Sequence, residues 1–244
     1  MIEIAKLSKP TACLFDLDGT IVRHKNQKLI AQLERCDTLI HILTHPFKRS
    51  YTLPAEMDLT VNVESNPLVH RLIHGIRIMR GIEVDQVVEP EDDVYAVLDY
   101  LKSHNVPMAL SSNAYGRSYG KQVLRRYGLR EYFTELIFRE HVKHGKPSPE
   151  VVLRAVHSLG LDKDKPQTIW FVGDQAKDMK AALKAIDQLP ENWKLIPFAF
   201  RAEDSTAYMY LSRKGRKISG VTKENYITDF RQMLKKLKRV FDLK

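Results

Sequence analysis

The sequence predicts an α/β protein: a doubly wound, mainly parallel sheet core with a small, mostly helical inserted domain. Three observations carry this. From residue 90 onward, short apolar runs alternate with amphipathic helical patterns, which implies a sheet covered on both faces. Near the N-terminus, the apolar run 12–15 ends abruptly in Asp16-Leu17-Asp18-Gly19-Thr20, where a buried central strand would reach a ligand-binding sheet edge. Between these two regions, residues 24–89 break the alternation. The expected organisation is a discontinuous Rossmann-like core, 1–23 and 90–244, with a cap inserted at 24–89.

Taken in order, the first strand is 12–15, with Cys13 as a small core residue. Residues 26–43 read as a helix with Leu29, Leu33, Cys36 and Ile40 on one face. The stretch 46–65 is poorly patterned, apart from an alternation at 59–63 that suits a strand. Asn66-Pro67 opens a further helix with the stripe Val69, Leu72, Ile73 and Ile76, stopped at Gly81. In the core, Val94, Val97, Leu98 and Leu101 mark a helix from about residue 91, followed by a strand at 106–111. A helix at 119–127 stops at Gly128, and a short strand follows at 134–138. Ser148-Pro149 opens a helix carrying Val152, Ala155, Val156 and Leu159, ending at Gly160. A third buried strand is expected at 168–172, a helix at 177–186, a strand at 195–200, a short last strand at 218–221 and a final helix at 228–240.

Composition narrows the function classes. A chain of 244 residues with 43% hydrophobic and 28% charged residues suits one large domain, or one domain with an insertion. No apolar run approaches the ~20 residues of a membrane span. The start of the chain lacks a basic segment followed by an apolar block, so no signal peptide is expected. Two cysteines give no disulfide framework, and a cytoplasmic location is the expectation. The net charge of +9 fits anionic substrates, an anionic surface or nucleic acid. Its densest clusters, around Arg213–Lys217 and Lys235–Arg239, lack interleaved aromatics, so they read as solvated faces and nucleic acid is not the expected partner.

Four polar clusters sit at strand ends or helix starts. Asp16 and Asp18 are two residues apart, so in an extended stretch they would face one small volume. Two close carboxylates there call for a cation or a shared proton. Ser111-Ser112-Asn113 ends the second core strand, where a hydroxyl and backbone N–H groups can meet an oxyanion. Gly145-Lys146-Pro147 holds an ammonium stiffly before a helix, suited to neutralising a phosphoryl group. Gly173-Asp174 with Asp178 repeats the pattern of an apolar strand running into carboxylates, hard oxygen ligands of the kind that suit Mg²⁺. Singly, each cluster has an ordinary reading: a strand-end loop, a serine turn, an exposed lysine, an N-capping acid. Their order along the chain is what gives them weight.

That ordered set resembles the haloacid dehalogenase superfamily. Its four motifs are matched by Asp16-Leu17-Asp18-Gly19-Thr20, by Ser112-Asn113, by Lys146-Pro147-Ser148-Pro149-Glu150, and by Gly173-Asp174 with Asp178. The spacer holding Leu124, Gly128-Leu129, Phe133 and Glu140 is similar to that of the phosphoglycolate phosphatase and β-phosphoglucomutase branch. Where the family often has an acidic residue after the first motif, this chain has Arg23 and His24.

The resemblance implies a Mg²⁺-dependent phosphatase acting on a small phosphorylated metabolite. Asp16 would be the nucleophile and form an aspartyl-phosphate, and Asp18 would act as acid and base. Ser112, Asn113 and Lys146 would hold the phosphoryl group. Asp16, the Asp18 backbone carbonyl, Asp174 and Asp178 would hold the metal. A phosphomutase of the same fold is the first alternative. A basic, non-catalytic binder of phospholigands or nucleic acid is the second, and it has no need of the four acids. His24, Lys25, His45, Arg49, Arg71, His74 and Arg77 could meet substrate from the insertion, but each reads better as an exposed solvating residue and none is taken as a site residue.

Overall fold

The computed structural model describes residues 7–25, 83–201, 205–214 and 221–242, and elements are numbered within them. In chain order they are β1 (Ala12–Phe15), β2 (Val22–His24), the one-turn helix α1 (Val84–Val87), β3 (Val88–Pro90), α2 (Val94–Ser103), β4 (Met108–Ser111), α3 (Lys121–Arg126) and β5 (Glu135–Ile137). There follow α4 (Glu150–Ser158), β6 (Gln167–Gly173), α5 (Ala176–Ile186), β7 (Trp193–Phe200), α6 (Thr206–Lys214), β8 (Tyr226–Ile227) and α7 (Phe230–Asp242).

The strands β5-β4-β1-β6-β7-β8 form one sheet in that order, and every neighbouring pair is parallel. The chain builds outward from β1 through β4 to β5, then crosses back to lay β6 on the other side of β1. The winding therefore reverses at β1, and the crevice at its carboxyl end is where such sheets bind ligands. This is the doubly wound core that the alternation predicts.

β1 is buried on both faces, as its unbroken apolar run requires. Cys13 and Phe15 join a cluster with Val97, Leu98 and Leu101 of α2 and Met233 and Leu237 of α7. Ala12 and Leu14 point the opposite way, into a cluster with Val152 and Val156 of α4 and Ala182 of α5. The first strand is thus clamped between two helical layers, and the side chains beyond Phe15 are held accordingly. No described helix is long and apolar enough to cross a membrane.

A second, two-stranded sheet pairs β2 with β3 antiparallel, with Arg23 opposite Glu89 and His24 opposite Val88. Lys25 N donates to Val87 O at 2.9 Å. The outgoing and incoming ends of the 24–89 segment therefore lie side by side. Arg23 Nε meets Glu89 Oε1 at 2.8 Å and its Nη1 meets Asp92 Oδ2 at 2.9 Å. The arginine that stands in place of an expected acid is matched by Glu89 on the return strand and by Asp92 just beyond it.

The structure departs from the sequence reading in several places, the β2–β3 ribbon and α1 among them. The helix expected at 119–127 is α3 alone, preceded by a wide π-type turn over Gly116–Gly120. Helix α6 was not foreseen, because only Ala207 and Leu211 are buried on it and so short a stripe leaves little periodicity. Val221 lies in no strand and residues 218–220 fall outside the described set, while the last strand is the two-residue β8, too short to show alternation. The expected helices at 26–43 and 66–81 and the strand at 59–63 lie outside the described residues.

Candidate active site

The sheet edge at the end of β1 gathers the predicted acids. Asp16 N donates to Val172 O at 3.0 Å, so the first acid is registered directly against β6. Beyond it the strand stops and the chain coils: Ile21 N and Val22 N both donate to Leu17 O, at 2.9 and 3.0 Å, and Gly19 N donates to Val22 O at 2.7 Å. Gly19 has φ of +80°, which glycine adopts without strain. A Cβ there would lie 2.6 Å from Asp174 Cγ, so the glycine also lets the Asp174 carboxylate approach the backbone.

Asp16, Asp174 and Asp178 each bring one carboxylate oxygen within 4.8 Å of the others. Asp16 and Asp178 are buried. Between these two sits the Lys146 ammonium, 2.8 Å from Asp16 Oδ1 and 2.8 Å from Asp178 Oδ1. Its side chain has no exposure at all, so the charges are compensated by one another and not by water. Burial pushes the Asp16 carboxyl up to about 7, with Lys146 pulling it back and Asp178 pushing it further. Burial pulls the Lys146 ammonium down, but Asp16 and Asp178 outweigh it and hold the net value up. The three acids form an all-oxygen donor set of the sort that holds a hard divalent cation.

Each member is fixed locally. Asp178 lies in the first turn of α5 and its Oδ2 accepts from Gln175 N at 2.9 Å. Asp178 thus supplies the third-residue half of a capping box whose N-cap is Gln175, and this leaves Oδ1 facing Lys146. A Cβ at Gly173 would fall 2.6 Å from Asp178 Cβ, so that glycine admits the helix end. Thr20 Oγ1 donates to Asp174 Oδ1 at 3.4 Å.

Asn113 clamps the loop that carries the lysine. Its Oδ1 accepts from Lys146 N at 2.8 Å and its Nδ2 donates to Lys146 O at 3.0 Å. The Asn113 side chain thus serves Lys146, while the contact expected with the phosphoryl group is one of backbone N–H near this residue. Ser112 is buried, and its Oγ accepts from Ala114 N at 3.0 Å, which fixes the oxygen and directs the hydroxyl hydrogen elsewhere. Glu150 Oε1 and Oε2 accept from Lys143 N and His144 N at 2.7 and 2.9 Å, tying the same loop to the start of α4.

Asp18 stands apart from this group of three carboxylates. Its carboxylate is not among the three that converge. Strand alternation ends at Phe15, and the coil at Leu17 takes Asp18 into other company. Tyr119 OH donates to Asp18 Oδ1 at 2.6 Å, and His24 Nε2 lies 3.3 Å from the same oxygen. Tyr119 was missed as a site residue, since a tyrosine at a helix start carries no chemical signal of its own. Its place between Gly116 and Gly120, just after the second motif, was the available clue. His24 thus lies beside Asp18, while among the described residues Lys25 reaches Glu89, at 3.8 Å. His45, Arg49, Arg71, His74 and Arg77 lie outside the described residues.

Comparison with known proteins gives the family and the fold. The sequence model for haloacid dehalogenase-like hydrolases matches residues 10–185. The chain is 31% identical over 181 residues to the pyrophosphatase PpaX of Bacillus velezensis, covering 72% of this chain and 79% of that protein. Among solved structures, a predicted phosphatase from Clostridium acetobutylicum superposes with a TM-score of 0.58 at 17% identity, covering 95% of this chain and all of that one (100%). A hydrolase of the same superfamily from Ehrlichia chaffeensis gives 0.56 at 18% identity, covering 96% and 99%.

Proposed function

This chain belongs to the haloacid dehalogenase-like hydrolases and is a phosphatase by family; from that premise we propose that it hydrolyses a small phosphomonoester through Asp16, with Mg²⁺ as cofactor. The observation that supports this best is the buried Asp16 carboxylate, which shares one ammonium with Asp178 at the sheet's ligand-binding edge.

The donor set fits a divalent cation. Its members are hard oxygens, they converge within 4.8 Å, and Gly19 keeps the backbone close to Asp174 where any larger residue would push the carboxylate away. Asp16, Asp174, Asp178 and the Asp18 backbone carbonyl would hold the ion. When bound, Mg²⁺ would neutralise charge on the phosphoryl oxygens.

The chain's own groups do the rest. Asp16 attacks phosphorus, and the bond to the leaving oxygen breaks with its electron pair going to that oxygen. The Asp18 carboxyl gives the leaving oxygen its proton. Water then attacks the aspartyl-phosphate, Asp18 takes the water's proton, and the Asp16–phosphorus bond breaks to release phosphate. Lys146 and the Ser112 hydroxyl offset charge on the transferring group, which is the main source of rate in phosphoryl transfer. Asn113 acts by holding Lys146. The segment 24–89 would close over the site as a cap, since its two ends lie beside the contacts made by His24.

A phosphomutase would share every step up to the aspartyl-phosphate and differ only in passing the group to a bound acceptor. Pyrophosphate is a second candidate substrate, because the 31% identical relative is a pyrophosphatase. The test is hydrolysis of an aryl phosphate, an alkyl phosphate and pyrophosphate, with and without Mg²⁺, by wild type and Asp16→Asn. Metal-dependent turnover abolished in the variant is expected. Turnover that survives in Asp16→Asn removes Asp16 as nucleophile.

A further inference from the structure

Asp18 is gripped at one oxygen from two directions. Tyr119 OH donates to Oδ1 at 2.6 Å from the loop after β4, and His24 Nε2 lies 3.3 Å from the same Oδ1 at the end of β2. Tyr119 is 101 residues away in sequence, so the contact is made by the fold and not by local geometry. From this we infer that Tyr119 and His24 are positioning residues, which hold the Asp18 carboxyl in the rotamer that meets the leaving oxygen. The inference rests on the proposed role of Asp18 as proton donor.

The loop around Tyr119 is built to place that ring. Gly116–Gly120 forms a π-type turn, a rare geometry that recurs at functional sites. Tyr119 N and Gly120 N both donate to Tyr115 O, at 3.1 and 2.8 Å. The Phe138 ring packs beneath both glycines: a Cβ would lie 2.5 Å from Phe138 Cδ2 at Gly116, and 2.8 Å from Phe138 Cζ at Gly120. Glu140 ties the start of the turn, with Oε2 accepting from Gly116 N at 2.9 Å and Oε1 from Arg117 N at 3.0 Å. Tyr119 is itself buried. Two glycines, an aromatic floor and a carboxylate thus fix one hydroxyl against one oxygen of Asp18.

A buried tyrosine also needs a hydrogen-bond acceptor simply to be stable, and a role of that kind would be indifferent to the chemistry of the substrate. Leaving-group dependence separates the two. A phenolate with a nitro substituent departs without help, whereas an alkoxide needs the Asp18 proton as the bond to phosphorus breaks. kcat/KM reports that first step, because it extends only to aspartyl-phosphate formation.

The experiment measures kcat/KM for 4-nitrophenyl phosphate and for an alkyl phosphate in wild type, Tyr119→Phe, His24→Gln and Asp18→Asn, with melting temperatures as the check on folding. In Tyr119→Phe and His24→Gln the fall for the alkyl substrate should exceed that for the aryl substrate by at least about tenfold, a fraction of what a general acid contributes. Asp18→Asn should show the same preference more strongly. If one of the two positioning variants does not fold, the other carries the test. Equal losses for the two substrates in the folded variants, with Asp18→Asn still selective, overturn the positioning role alone. Equal losses in Asp18→Asn overturn the acid role and this inference with it. Wild type that hydrolyses neither substrate overturns the proposed function as well.

Discussion

Replacing Gly19 with alanine tests the proposed metal cradle through its tightest point. Gly19 has φ of +80°, where an L-residue costs about 1–2 kcal/mol. The new Cβ would also stand 2.6 Å from Asp174 Cγ, well inside ordinary contact at 3.4 Å, so the carboxylate must retreat by about 0.8 Å. The strain alone should lower Tm by about 2–8 °C for a chain of this size. The displaced Asp174 should raise the Mg²⁺ concentration for half-maximal phosphatase activity by about 10–100-fold, the range seen when groups that orient metal ligands are disturbed. Thermal melting and a Mg²⁺ titration of turnover measure the two effects separately. A variant that folds, with an activation midpoint within about twofold of wild type, would refute the reasoning that Asp174 holds the ion and that Gly19 makes room for it.

Two further substitutions probe charge. Lys146→Met leaves Asp16 and Asp178 buried without their shared cation, and urea unfolding should show a loss of about 3–5 kcal/mol. A loss under about 1 kcal/mol would mean that water or another cation already compensates those acids. At the far end of the molecule, Lys236 and Arg239 hydrogen-bond to Glu224 at 2.6 and 2.7 Å and hold its carboxyl below the ordinary value. A depressed carboxylate stabilises the fold above its unfolded value of about 4.5, and that contribution is lost as pH falls through the lower folded value. The stability gap between wild type and Glu224→Gln should therefore be on the order of 1 kcal/mol at neutral pH and close in acid. A gap that does not change with pH would contradict the assignment.

The parts of the fold that were legible in the sequence are those with a long period or a full strand. β1, β4, β6 and β7 announce themselves through the apolar stretches 12–15, 108–110, 169–172 and 195–200, because a strand stretch buried on both faces has no solvent side to encode. α6 and β8 were illegible for the opposite reason: each buries too few side chains to leave a pattern. In the site, Asp16, Lys146, Asp174 and Asp178 were found because carboxylates and a constrained lysine at strand ends are costly to place without purpose. That Asp16 and Asp178 share the Lys146 ammonium could not be read, since it depends on how β1 and β6 pair. Tyr119 and the doubled use of Asn113 were hidden further, because each is a tertiary hydrogen bond between segments with no shared periodicity.

The β2–β3 ribbon makes the core independent of what is threaded between its ends. With Arg23 facing Glu89 and His24 facing Val88, the two ends stand one strand spacing apart, a gap that a two-residue hairpin turn can close. Any polypeptide whose own termini lie close together can therefore be grafted there without bending β1 or shifting the acids. On the proposed function, substrate preference would then be an exchangeable module, and the hydrolytic machinery a socket that accepts it. Because His24 belongs to the ribbon and also touches Asp18, each module would be joined to the core at a residue that contacts the proposed proton donor.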